Sequence, residues 1–329
     1  MTDMSATIRW GMIGCGDVAE RKSGPAFSRV EGSTLVAVMS RNSERAQDYA
    51  RRHGVARWHD DAQEIIGASD IDAVYIATPT SSHHDLTLRC AAAGKPVYVE
   101  KPMAMSFAEA AQMVDACRDA QVPLWVAYYR RALPRILEVD RLLRSGAIGD
   151  VLLVRSERFE PLPAPETMDW RFDPSVSGGG LFFEAVCHVL DALDLLFGPI
   201  EEVHGVAANQ VGAYRPEDTV VASYRFASGV LGSGAWCFAS DTRRQGEEII
   251  GTRGRLTCSL ADPEPIVVER DGERRTIAVE DPAHVQEPLI ATIVEELQGR
   301  GTCPSPGSAA MRTTRVTEQI LRSFVAPVH

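Results

Sequence analysis

Six consecutive residues near the N-terminus constrain the fold more than any others: Gly14-Cys15-Gly16-Asp17-Val18-Ala19. They follow an apolar run, residues 8–13, that reads as a strand, and they lead into a segment that reads as a helix. In a G-x-G-x-x-A turn the first glycine makes the tight bend and the second lets the backbone approach a pyrophosphate. The small third residue lets helix and strand pack closely. The pattern alone is a weak signal, and a plain structural turn is the competing reading. Its place between a strand and a helix is the context a dinucleotide site requires.

The rhythm that follows supports that context. Residues 34–39, 72–77, 96–99 and 124–128 read as further strands, apolar on both faces. Helical segments separate them at 42–53 and 82–93, and Ser106 opens another with Glu109 at capping-box spacing. Such strands predict a doubly wound parallel sheet covered on both sides, a Rossmann domain over residues 1–125. At ~100–200 residues per domain, a chain of 329 residues holds about two. Residues 126–329 are then the second, an α/β domain with an open, mainly antiparallel sheet. Its signals are a strand at 151–158, a proline-rich loop at 161–165, a long helix at 180–197, and hairpin turns at Ser228-Gly229 and Asp271-Gly272. A last helix is read over 308–324.

In that second sheet, residues 219–226 and 230–238 are apolar or small at both alternations. A sheet wet on one face alternates with polar residues. One face is therefore expected to pack on the long helix and the other on a second subunit, a covering loop being the alternative.

The cofactor type is read at the end of the second strand. An NAD site usually places Asp or Glu there to hold the ribose hydroxyls. This chain has Ser40-Arg41-Asn42-Ser43, with Arg45 beyond. Arg41, with Ser40 and Arg45, can hold a 2′-phosphate by charge-assisted hydrogen bonds, so NADP(H) is favoured over NAD(H). The competing reading has both arginines solvated and Glu44 reaching the ribose.

Two further places carry candidate chemistry. The fourth strand ends in Glu100-Lys101-Pro102, at the strand end where ligands bind in such sheets. Lys101 there is a candidate proton donor or substrate clamp; a surface ion pair with Glu100 is the alternative. The long helix begins after Gly178-Gly179-Gly180 and is mostly apolar, yet Glu184, His188 and Asp191 fall at i, i+4 and i+7 on one face. A carboxylate and an imidazole on such a helix are costly to bury without purpose, and the glycines permit close ligand approach. A satisfied core histidine is the alternative.

The remaining composition excludes several classes. With 34 basic and 45 acidic residues the net charge is −11, and no basic cluster is present, so neither nucleic acid nor membrane is expected as a partner. The seven cysteines are an odd number at wide, irregular gaps with no CxxC, which predicts reduced thiols and no metal site. Residues 1–7 have neither a basic start nor an apolar core, so a cytoplasmic protein without a signal peptide is expected.

Taken together, these motifs resemble the glucose–fructose oxidoreductase / inositol dehydrogenase (Gfo/Idh/MocA) family along essentially the whole chain. The matching landmarks are Gly14–Ala19, Ala77-Thr78-Pro79 with His83 shortly after, Glu100-Lys101-Pro102, and the triple-glycine helix with His188-x-x-Asp191. The resemblance implies a sugar or polyol oxidoreductase that uses NAD(P), a small sugar-like substrate, and a homodimer or homotetramer formed through the open sheet face. It implies catalytic roles for Lys101, His188 and the helix carboxylate Glu184, and cofactor contacts from Thr78, Pro79, His83, Glu100, Trp170 and Arg171, beside those of Gly14, Gly16, Asp17, Val18 and Ala19. Tyr128, Tyr129 and Asp191 fall on the substrate side. The family usually has Asp where this chain has Glu184, and often Gly in place of Val186. An NAD-dependent glycosidase-type lyase and a non-catalytic dinucleotide-binding regulator are the alternatives on the same fold.

Overall fold

The computed structural model describes residues 7–324. Residues 1–6, most of the stretch read for a leader, lie outside them. The chain divides into two compact units. The first comprises residues 1–133 and 282–311, and the second 134–281 and 312–329. The sequence division at 125/126 is a single cut, whereas the structural one falls at 133/134 and recurs twice towards the C-terminus.

The first unit is built on six parallel strands: β1 (Ile8–Ile13), β2 (Ser33–Met39), β3 (Arg57–His59), β4 (Ala73–Ile76), β5 (Val97–Val99) and β6 (Leu124–Val126). Their order is β3-β2-β1-β4-β5-β6, with the reversal of direction at β1/β4. In such sheets ligands bind beyond the strand ends at that switch point. Every residue of β4, β5 and β6 is buried, as a parallel sheet covered on both faces requires. The helix Ser43–His53 starts where the Asn42 side chain accepts a hydrogen bond from the Arg45 N–H, and stops at left-handed Gly54. Ser106 caps the helix Phe107–Asp119 through the Glu109 N–H, while Glu109 reaches back to the Met105 N–H. Strand β3 escapes the periodicity reading because it is three residues long and carries no apolar run; Trp58 on it is exposed.

The second unit holds β7 (Val151–Phe159), β8 (Ile200–Ala208), β9 (Thr219–Phe226), β10 (Leu231–Cys237), β11 (Arg244–Gly251), β12 (Gly254–Cys258), β13 (Ile266–Arg270) and β14 (Glu273–Ile277). They form one sheet in the order β14-β13-β12-β11-β7-β10-β9-β8, antiparallel except for β7 against β10. The β13–β14 hairpin turns at Asp271-Gly272, both with positive φ, as a tight two-residue turn demands. One face, with Val220, Ala222, Tyr224, Phe226 and Trp236, is buried. Aromatic pairs dock the helical segment on it: Phe182 meets Trp236 edge-on at 5.1 Å, and Phe197 meets Phe226 at 5.3 Å. The other face is open in the chain, with Val206 71%, Val221 53% and Leu231 53% exposed. Paired charges flank this apolar centre, Arg225 with Glu202 on one side and Arg155 with Glu248 on the other.

Candidate active site

The glycine turn follows β1 as the sequence requires. Gly14 has φ +110°, and a Cβ there would lie 2.5 Å from the Ala77 carbonyl oxygen. Its N–H donates to the Met39 carbonyl at the end of β2. This glycine is demanded by the fold. Gly16 is different: a Cβ there meets nothing within 4 Å. It fronts open space, a cradle of the kind a pyrophosphate needs, and Asp17, Val18 and Ala19 begin a helical turn, where a helix leaves its first N–H groups without internal partners. Ala19 is wholly buried, where only a small residue fits. The residues present therefore fit a dinucleotide.

Arg41 and Arg45 are exposed at the tip of β2, and neither makes an ion pair among the described residues. Arg45 is near enough to the glycine turn for its charge to oppose the burial that pushes the Cys15 thiol up to about 12. The structure also brings a carboxylate to this tip from elsewhere in the chain. β2 and β3 end level, Met39 opposite His59, so Asp60 accepts a 2.8 Å hydrogen bond from the Ser43 hydroxyl.

Beyond β4 and β5 the expected contact residues are braced by the protein itself. The His83 ring is 1% exposed. Its Nδ1 lies 3.0 Å from the Pro102 carbonyl and its Nε2 2.9 Å from that of Thr78, tying the turn after β4 to the loop after β5. The Ser82 hydroxyl donates to Thr78 Oγ1 and fixes the Thr78-Pro79 turn. Glu100 is buried, and its Oε1 accepts from the Tyr75 hydroxyl at 2.6 Å and from Gln286 Nε2 at 2.7 Å. The Tyr98 hydroxyl in turn donates to Gln286 Oε1. Burial, reinforced by Glu100, holds both phenols well above their usual range, so they remain donors. Glu100 Oε2 accepts the Lys101 N–H, so this network sets the backbone from which Lys101 projects. Gln286 comes from the returning segment 282–311, and no sequence motif marks it. Tyr128 and Tyr129 follow β6 and are both buried, with the Arg130 guanidinium 5.7 Å from the Tyr129 ring centre.

The remaining site residues belong to the second unit. Arg171 stacks on the Trp170 ring at 4.7 Å and pairs with Asp169. The long helix is not uniform: a π-turn, Phe182–Val186, precedes the α-helix Cys187–Phe197. Glu184 sits in the π-turn and His188 in the first α-turn; both are buried. π-turns recur at functional sites because they widen a helix locally and redirect a side chain. Asp191 is wholly buried and accepts from the Thr313 hydroxyl at 3.3 Å, and Asp194 is held by two hydrogen bonds from Arg312. Gly178 closes the short helix Pro174–Ser177 at a φ of +91°, and the two glycines after it are explained by packing. A Cβ on Gly179 would strike Phe183, and one on Gly180 would strike Pro216 at 2.6 Å and Glu217 at 3.0 Å. Glu217 was not visible as a candidate in the sequence. It is 1% exposed, and burial pushes its carboxyl up to about 7. Among the described residues no three His, Cys, Asp or Glu side chains are placed to hold a metal, and no helix is long and apolar enough to cross a membrane.

Comparison with known proteins agrees with this architecture. A family model described as an oxidoreductase family with an NAD-binding Rossmann fold (GFO/IDH/MocA) matches residues 8–128, and the GFO/IDH/MocA C-terminal domain matches 136–257. An oxidoreductase of Formosa agariphila is 38% identical over 96% of this chain and 98% of its own. A 1,5-anhydro-D-fructose reductase of Ensifer adhaerens is 30% identical over 91% of each chain. Among solved structures, a levoglucosan dehydrogenase in complex with NADH and levoglucosan superposes with a TM-score of 0.87 at 24% identity, covering 96% of each chain. That last likeness is one of fold.

Proposed function

This chain belongs to the Gfo/Idh/MocA family of oxidoreductases, and from that premise we propose that it transfers a hydride between NADP(H) and a carbinol carbon of a sugar, polyol or related hydroxy compound. The observation that carries the reading is that one chain holds both Gly16, open to a ligand in the first unit, and a buried Glu184 and His188 on an otherwise apolar helix of the second. When bound, the nicotinamide ring supplies the redox chemistry. The chain supplies binding and proton handling. The Gly14–Ala19 turn and its helix N-terminus receive the pyrophosphate, and Thr78, Pro79, Trp170 and Arg171 add contacts to the cofactor. His83 and Glu100 act on that site by bracing it.

His188 takes or gives the hydroxyl proton, a role in which an imidazole serves both directions. Lys101 polarises the reacting oxygen. Glu184 orients His188 or binds a neighbouring hydroxyl, one methylene deeper than the shorter Asp would reach. Tyr128 and Tyr129 flank the substrate, and Asp191, fully buried, fixes the helix through Thr313. The exposed, unpaired Arg41 and Arg45 favour the 2′-phosphate of NADP(H), while Asp60 beside Ser43 is the group that would favour NAD(H). Seven free thiols, six of them buried, suit a reducing cytoplasm. The open sheet face, apolar at Val206, Val221 and Leu231, is the contact between copies of the chain.

His188→Ala tests the assignment. Turnover is expected to fall by about 10²–10⁴, with the dissociation constant for NADP(H) unchanged within about twofold. Undiminished turnover contradicts it.

A further inference from the structure

Glu217 stands outside every motif in the sequence, yet it is the group on which the start of the His188 helix rests. The Gly180 N–H donates to its Oε1 at 3.2 Å, and the Phe183 amide lies close enough to favour the charge of the same carboxyl. These are two of the amides that a helix beginning at Leu181 leaves without internal partners. Pro216, the neighbour of Glu217 in the chain, comes close enough that position 180 must be glycine, a Cβ there lying 2.6 Å from the Pro216 Cβ. Glu184 is the next residue after Phe183, and His188 follows in the first regular turn. We propose that Glu217 is a positioning residue: its carboxylate seats the Gly180 amide, with the Phe183 amide beside it, and thereby sets the placement of Glu184 and His188 for the reaction. The inference rests on the reading of that helix as catalytic.

The surroundings make the seat responsive near neutral pH. Burial is the largest influence on the Glu217 carboxyl; its own backbone amide and then those of Gly180 and Phe183 oppose it, and the charge of Asp218, next in the chain, adds to it. The other titratable group beside it is Tyr214 in the same loop, whose phenol burial pushes up with help from Asp218 and Glu217. Arg215 is exposed and acts on Asp173 instead. With the carboxyl at about 7, the stronger charge-assisted bonds to the helix are present above neutrality and replaced by weaker neutral ones below it.

The test is an NMR titration of the full chain with NADP⁺ present, following the Gly180 and Phe183 amides and the His188 ring in wild type and in Glu217→Gln. In wild type both amides shift with a midpoint near neutral pH, and the His188 ring shows the same inflection beside its own. In Glu217→Gln that inflection disappears and the His188 titration remains. Amides that do not titrate in wild type, or an inflection that survives in Glu217→Gln, overturn the role of Glu217 alone. Normal turnover by His188→Ala on a panel of aldoses and inositols overturns the catalytic reading, and the role built on it with it.

Discussion

Gly14 and Gly16 stand two residues apart in one turn and are glycine for different reasons. Gly14 is held at positive φ against the Ala77 carbonyl, so Gly14→Ala adds strain and overlap and should cost about 2–4 kcal/mol of stability. Gly16 faces open space, so Gly16→Ala should leave stability within about 0.5 kcal/mol while weakening dinucleotide binding by about tenfold or more. Thermal unfolding and cofactor titration of the two variants check this. A Gly16→Ala protein that binds NADP(H) normally would remove the ligand role of the second glycine. The pair also shows what a motif can convey. Both glycines were legible as a fingerprint, but their separate causes lie in the distance to Ala77, which comes from another strand. Gly180 hid its cause for the same reason: its neighbours, Pro216 and Glu217, are distant in sequence.

At the level of elements, the parallel strands were legible because their apolar runs are continuous, and the capped helices because Asn42 and Ser106 precede them. β3 was not, being short and polar, and with it went the carboxylate of Asp60 at the β2 tip. The helix carrying Glu184 and His188 was read as regular; its π-turn has no periodic signature, and Glu217 at its start is contributed by a loop about three dozen residues later. That buried carboxyl has a consequence for stability with a definite sign. Its folded pKa, about 7, lies above its unfolded value, so its contribution is full below about 4.5 and is lost as pH rises through about 7. Glu217→Gln has no such loss. Its stability relative to wild type should grow between pH 4.5 and 7, by at most about 3 kcal/mol above that window. Denaturant melts of both proteins at several pH values measure the difference, and a constant offset across the range would show that the carboxyl is not raised.

For the whole molecule, the apolar open face of the second sheet was anticipated from strands β9 and β10, whose odd positions carry Val221, Leu231 and Ala235 where polar residues would otherwise stand. Val221→Lys places a charge at the centre of that face. It should move the proposed dimer or tetramer towards monomer in sedimentation velocity with the fold intact, since position 221 is half exposed within the chain. A wild-type protein that is monomeric at micromolar concentration, or a variant that assembles unchanged, would assign the face to something else. The net charge of −11 bears on the cofactor. On the proposed reading, an anionic dinucleotide is drawn by the local Gly14–Ala19 turn, Arg41 and Arg45 against the sign of the whole protein. The central claim, hydride transfer between NADP(H) and a sugar-like alcohol, is tested most directly by following nicotinamide absorbance over a panel of sugars, inositols and hydroxy-ketones, with NADP(H) and NAD(H) in parallel. The account predicts substrate-dependent oxidation or reduction that is faster with NADP(H) and lost in His188→Ala; no net change with either cofactor, including where a glycoside is turned over, would contradict it.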